Sequence, residues 1–372
     1  MTSPSDSHDS PGTEKHTQTV PPPYTGPAGK PTEIRFFSSE SLPSLLENAK
    51  CSFFISTYLI GNLITVGARS GKMLVTFHTF DRPMGMTLSR EGLVVCTRST
   101  VWFMPAVPDI ALQMEPRGQF DVAYFARKAI YTGNILCHEI AWVGKELWIV
   151  NTRFSCLCTI HPTCHFAPRW RPPFITSLAP EDRCHLNGLA TYNGEARYAT
   201  ALAETDAREA WRKEKANGGC LIDIPRNVVV SRGFAMPHSP RIANGKLYVL
   251  HSGWGRLEVV DPVNGLRETV CELPGYTRGL SIHGSLAFVG LSKIRESTSM
   301  DGVPIAARRD QLKCGVWVVD LNRGAIVGHL EFTSGFDELF DVQVLPGVQS
   351  PFISGPLADH YSDQTFWTLP QQ

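Results

Sequence analysis

The stretch AMPHSPRIANGKLYVLHSGWGRLEVVD, Ala235–Asp261, decides the fold. It holds a short apolar segment, a turn at Gly245, a second apolar segment, a further break and a third segment, GRLEVVD. Short apolar runs punctuated by glycine turns read as antiparallel strands. The same plan recurs along the chain. HEIAWVGKELWIVNTRFSCLCTI starts at His138, HLNGLATYNGEARYATAL at His185 and TRGLSIHGSLAFVGLSK at Thr277. STYLIGNLITVGARSGKMLVTF starts at Ser56, GMTLSREGLVVCTRSTVWFM at Gly85, and a short copy, DVQVLPG, at Asp341. The turn glycines are Gly61, Gly92, Gly144, Gly194, Gly245, Gly284 and Gly347.

The commonest separation of these glycines, roughly fifty residues, suits one four-stranded blade, and blades in a ring make a β-propeller. The fold class is therefore all-β, a propeller closed by strands from both ends of the domain. Seven turns favour seven blades. Because the first copy is short and the last truncated, the two could also merge into one closing blade and leave six. A two-domain sandwich is the other arrangement such strands allow. Two inserts fall between the second and third strands of a blade. AETDAREAWRKEKANGG reads as a short helix over Glu204–Asn217 plus loop, and IRESTSMDGVPIAARRDQLK as a polar loop.

With 372 residues, 42% of them hydrophobic, the chain can bury a large core. Its 35 basic and 35 acidic side chains cancel, which gives no electrostatic case for nucleic acid or an anionic membrane. No apolar run has the ~18 residues of a membrane span. Residues 1–31, polar and rich in Pro and Ser, read as a disordered lead without a secretory apolar core, and residues 32–372 as one propeller domain. The expected compartment is cytoplasmic, and the ten cysteines are expected as reduced, mostly buried thiols. Cys156, Cys158, His161, Cys164 and His165 lie close enough in sequence for a structural zinc site, but without a paired CxxC pattern. GARSGK, Gly67–Lys72, lacks the spacing of a phosphate loop.

In a propeller the first strand of each blade lines the central channel, so residues at its start surround the channel mouth. There the sequence offers His138 with Glu139, His185 with Asn187, His238, Arg278, and Glu338 with Asp341. Three histidines on consecutive blades point to a shared divalent transition metal such as zinc, iron or copper, with an open position for catalysis. Without a metal, the same ring would be a polar pocket with a histidine as general base. Glu139, Asp341 and Arg278 are the expected catalytic groups, Arg278 being able to hold a carboxylate or phosphate in two-pronged fashion. Asn187 and Trp170 are the expected further ligand contacts. Trp170 and Phe174 lie in the proline-stiffened segment Arg169–Gly188, a candidate wall or lid. His251, His283 and His329 lack the channel-mouth position and are expected to be structural.

HEIAWVGKELWIVNTRFSCL, WRPPFI, LAPEDRCHLNGLA, MPHSPR, LPGYTRGL, GLSKIRE, CGVWVVD and FDVQVLPG resemble a bacterial family of conserved hypothetical β-propeller proteins with a domain of unknown function. The resemblance covers roughly Cys51 to Gly347. It implies a propeller and supplies no activity, but its motifs fall on His138, Glu139, His185, Asn187, His238, Arg278 and Asp341. More loosely, the blade pattern is similar to the lactonase and strictosidine-synthase-like propellers, which use a central metal or polar cluster at the same place. The expected function is a metal-dependent enzyme acting on a small molecule or peptide at the channel mouth. The alternative is a scaffold that binds a protein or peptide.

Overall fold

Most strands of the second rank in a blade contain an unbroken apolar run, such as LYVL at Leu247–Leu250. That is the pattern of a strand buried on both faces. Successive side chains leave such a strand on opposite sides, and here they reach two different neighbours. Val249 joins a core with the preceding sheet, while Tyr248 and Leu250 join one with the following sheet. Phe53 and Ile55 face one way and Phe54 the other. Every sheet is thus cemented to two others, and the sheets form a ring.

The computed structural model describes residues 13–20, 32–294 and 302–357. Among them six antiparallel blades surround the channel. From the channel outward, blade 1 is Met86–Leu88, Gly92–Cys96, Thr100–Pro105 and Lys128–Tyr131. Blade 2 is Cys137–Val143, Glu146–Asn151, Cys156–Thr159 and Ala167–Trp170. Blade 3 is Leu186–Tyr192, Glu195–Ala201, Gly219–Asp223 and Val228–Phe234. Blade 4 is Pro237–Ala243, Lys246–His251, Arg256–Val260 and Arg267–Glu272. Blade 5 runs Tyr276–His283, Leu286–Ser292, Cys314–Asp320 and Ala325–Ser334, and is extended outward by Thr32–Ser39 and Thr13–Val20. Blade 6 takes its innermost strand, Asp341–Pro346, from late in the chain and the other three, Cys51–Thr57, Asn62–Arg69 and Lys72–Thr79, from early in it.

The count is six, not the favoured seven. Gly61 and Gly347 belong to the same blade, so seven turns count one blade twice. The merger of the short first copy with the truncated last one is what closes the ring.

Other departures from expectation have local causes. The nine-residue helix Ser41–Ala49 was not anticipated; Leu42 and Leu46, one turn apart, seat it on the core between blades 5 and 6. The insert before the third strand of blade 3 is helical only over Trp211–Glu214, not over Glu204–Asn217. Within the polar lead, Thr13–Val20 forms a strand. Its backbone finds a ladder on the edge of Thr32–Ser39, and the His16 ring stacks on Phe36 with centroids 5.3 Å apart. Residues 1–12 and 21–31 of the lead, and 295–301 of the polar insert, lie outside the described residues.

Candidate functional site: the channel mouth

The innermost strands of blades 2 to 5 share one device. Cys137, Leu186, Pro237 and Tyr276 open the strands and pair with Asn151, Ala201, His251 and Ser292, and each ladder then shifts register within a few residues. A bulge of this kind re-aims side chains, and bulges concentrate next to active sites. Counted from those opening pairs, His138 and His238 occupy the same position, one residue in. His185 does not. It sits one residue before its strand, where the other two blades carry Leu136 and Met236. All three of these residues have left-handed backbone, φ 52, 49 and 52° for Leu136, His185 and Met236, a conformation non-glycine residues rarely hold without a local reason. The expected common register therefore holds for two histidines, and the third reaches the same cavity from a different backbone position.

That cavity, about 360 Å³, is lined by His138, His185, His238, Arg278, Tyr276 and Glu338 among polar groups. Tyr58, Met84, Trp211 and Phe340 are among its apolar walls. The His138 ring lies 5.3 Å from that of His238 and 5.7 Å from that of His185, centroid to centroid. A larger groove of about 630 Å³ between blades 3 and 4, lined by residues such as Tyr192, Lys246 and Glu268, brings no histidine or cysteine together.

Hydrogen bonds set the state of each imidazole. His185 Nδ1 donates to Asp182, 2.9 Å away, and Trp211 Nε1 donates to the same carboxylate at 3.1 Å. His238 Nδ1 donates to the Met236 carbonyl at 3.1 Å and lies 2.9 Å from Ser252 Oγ. His138 Nε2 accepts from Arg278 at 3.1 Å. Each neutral ring therefore carries its proton on Nδ1 and leaves Nε2 as the lone-pair nitrogen. Burial, and next the Arg278 charge, push His138 and His238 well below the usual imidazole range.

Arg278 is held by Glu338 at 3.2 Å and lies 3.7 Å over the Phe340 ring. Its own pKa is lowered by burial. Gly279 follows it at φ +79°, and a Cβ there would come within 2.7 Å of the Val342 backbone of blade 6. The guanidinium thus stands where two blades touch. Tyr276 is pushed above the ordinary phenol range by burial, so its hydroxyl stays protonated.

Four expected ligand contacts and catalytic groups serve elsewhere, three of them inside the ring. Glu139 lies off the cavity wall; its carboxylate accepts from Leu189 N of the next blade at 3.1 Å and pairs with Arg241. Burial outweighs that pairing and lifts its pKa to about 7. Asp341 accepts from Met86 N at 2.9 Å, tying blade 6 to blade 1, and burial raises it to about 6. Asn187 donates to the Pro237 carbonyl at 2.9 Å and accepts from Thr200 at 2.7 Å. All three are ties that satisfy buried polar groups between adjacent strands. Trp170 stands on the outermost strand of blade 2, where its Nε1 donates to Asn227 at 3.0 Å, and Phe174 packs between blades 2 and 3. The segment expected as a lid reaches the site through Asp182 instead.

His251 is structural as expected, since it accepts from Ala235 N at 2.8 Å and binds Glu258 at 2.9 Å. The Cys156–His165 group is split. Both cysteines on the strand are buried between blades 1 and 2, whereas Cys164 is exposed and His161 accepts from its backbone N–H. Sequence reasoning missed Asp182 and Trp211. Asp182 was legible as a carboxylate three residues before His185, while Trp211 sits in an insert whose path no local pattern shows.

Among the described residues no set of three or more His, Cys, Asp or Glu side chains forms a ready metal cage. No helix of the described residues is long and apolar enough to cross a membrane.

Six blades around a channel whose mouth holds three buried or part-buried imidazoles define a β-propeller with a candidate small-molecule site. Residues 40–354 match the family described as domain of unknown function DUF4915, and the chain belongs to that family. No curated protein matches the chain. Among solved structures, the nidogen/laminin complex aligns over 80% of this chain and 99% of that one, at 10% identity and a TM-score of 0.46. Virginiamycin B lyase from Staphylococcus aureus aligns over 87% and 99%, at 10% identity and a TM-score of 0.38.

Proposed function

We propose that the chain is an enzyme that holds one divalent transition metal at the channel mouth through Nε2 of His138, His185 and His238 and acts on a small polar molecule. The observation that carries this reading is the tautomer pattern. Three rings carry an unprotonated Nε2 at one cavity, that of His138 accepting from Arg278, and two of them have Nδ1–H fixed by a carboxylate or a backbone carbonyl, the usual outer partners of metal-bound histidine. The spacing of two of the ring pairs, His138 with His238 and with His185, agrees, since two imidazoles sharing an ion at ~2.1 Å have centroids roughly 5 Å apart. Binding an ion requires Arg278 to release His138, and Glu338 keeps the guanidinium compensated when it does. The ion would supply Lewis acidity or a water acidified toward neutral pH.

The chain's own groups do the rest. Asp182 orients His185, Arg278 is placed to hold a polar or anionic substrate group, and Tyr276 donates a hydrogen bond. Trp211 and Phe340 limit water around the reacting group. A cavity built this way is small-molecule machinery rather than a face for docking another protein.

One observation favours a second, metal-free reading: Arg278 already occupies Nε2 of His138. The Asp182–His185 pair would then be the general base, with Arg278 holding the substrate. Protein purified without chelator or nickel affinity steps, then titrated with zinc, iron, copper and cobalt, separates the two. One tightly bound equivalent, lost in His238→Ala, supports the metal. No uptake of any of the four ions overturns it and leaves the acid–base site.

A further inference from the structure

Beside the central cavity lies a second one of about 430 Å³. Leu136, His185 and Trp211 line both. The Trp211 and His185 rings, 4.4 Å apart, form the partition between them. The outer cavity is rich in charge of both signs, and most of that charge is already matched. Glu209 binds Arg212 at 2.9 Å, Glu181 binds Arg183 at 2.8 Å, and Asp182 serves His185 and Trp211. Arg153 and Arg208 are different. Among the described residues neither has a carboxylate partner, and Arg153 donates only to the Asn134 carbonyl. Two guanidiniums outside any close ion pair, with Glu209 feeling the charge of Arg208 only at longer range, therefore face a cavity that opens beside the imidazoles.

We propose that this outer cavity is the anion-binding arm of the site. The substrate is an extended molecule whose polar reacting group enters the histidine cavity, while a carboxylate or phosphate on its far end is held by Arg153 and Arg208. The proposal rests on the reading that the central cavity is where the chemistry happens, and it is independent of whether a metal takes part. Guanidinium groups suit this task because their planar donors match two oxygens of such an anion at once. Arg212, stacked 4.6 Å over Trp211 and paired with Glu209, is engaged already and keeps the partition in place. Occupying the outer arm would also perturb the Trp211 indole, which gives an optical readout.

The test uses the full chain and three probes of similar length: adipic acid, a phosphate monoester of a hydroxyhexanoic acid, and neutral adipamide. Binding is followed by titration calorimetry and by tryptophan fluorescence, with Trp211→Phe as the optical control. At least one anion is expected to bind and the diamide not to. The anion that binds more tightly identifies carboxylate or phosphate as the recognised group. Arg208 is exposed and makes no close ion pair, so Arg208→Gln should leave the melting temperature unchanged and weaken binding at least fivefold. Adding Arg153→Gln should bring the loss past tenfold, with an unchanged melting temperature. Rising salt should weaken the wild type more than the double variant. Equal binding of diacid and diamide, no anion binding by the wild type, or unchanged binding by both variants overturns the proposal. Metal uptake measured on the same samples judges the metal separately. If uptake fails while arginine-dependent anion binding persists, only the metal is lost.

Discussion

His185 depends on Asp182 more than on its own strand. Its ring is placed by left-handed backbone and then fixed by a carboxylate that Trp211 also grips. Asp182→Asn should keep the fold, since the amide can still accept from Trp211, but it removes the charge that holds Nδ1–H. On the metal reading, zinc affinity should fall by about tenfold to a hundredfold, as for other outer-sphere partners. An affinity within twofold of wild type, measured by competition with a chromogenic chelator, would show that Asp182 does no such work. At this scale the sequence was half legible. His138, His238 and Arg278 announce themselves by recurring at strand starts. Glu139, Asp341 and Asn187 recur there too, yet they are consumed by backbone donors and acceptors of the neighbouring blade. Which way a bulged residue turns is decided by packing across blades, and no local pattern carries it.

Among the elements, the strand Thr13–Val20 carries the sharpest consequence. It covers the outer edge of Thr32–Ser39 along an eight-residue ladder, and Gln18 reaches across to the Val75 carbonyl at 3.3 Å. An uncovered strand edge is a template for pairing with another chain. A variant beginning at Pro31 should stay folded but melt lower by up to a few degrees, because about 1 kcal/mol corresponds to roughly 2–4 °C at about 150–250 residues and to less in a larger domain. It should also aggregate faster on warming. A melting curve and light-scattering onset identical to the full chain would show the ladder to be without effect. The strand was hidden because its residues alternate no apolar face. Its partner is an edge created by the fold rather than a pattern within the segment. The helix Ser41–Ala49 escaped notice for the opposite reason, its two leucines being too few to stand out among so many strand-forming runs.

The whole ring holds two buried carboxylates that titrate near neutrality, and their effect on stability runs against the histidines. Glu139 has a folded pKa of about 7, above the ordinary value of 4.5. The folded state therefore holds a proton that the unfolded chain releases. Its contribution is full below about pH 4.5 and is lost as pH rises through 7. His138 and His238, lowered by burial, act oppositely. Below about pH 6.5 the unfolded chain takes up protons there that the folded chain refuses, so stability falls with pH in that range. Glu139→Gln removes the first effect alone. Its stability relative to wild type, from urea unfolding at pH 5 and pH 7.5, should improve as pH rises, by on the order of 1–3 kcal/mol. A pH-independent difference would place the Glu139 titration outside this window. At the same scale, the propeller class was plain in the sequence because strand and glycine repeat at an even interval. The blade number was not, because the closing blade is written in two pieces almost three hundred residues apart, and each piece reads as a unit of its own.

That split blade fixes when the site can exist. The Tyr58 and Phe340 rings, 5.9 Å apart on the cavity wall, come from opposite ends of the ring's sequence. A chain still emerging from the ribosome can lay down blades 1 to 5 as an open crescent, with His138 and His238 already in their strands and His185 just ahead of its own. Yet Glu338, Phe340 and the strand from Asp341 come after all five of those blades in the chain, and they shut the seam. Ligand-binding capacity is thus acquired only after the other five blades have been made. The same geometry makes it the first to go when a protease clips that closing strand, while most of the crescent keeps its hydrogen bonds.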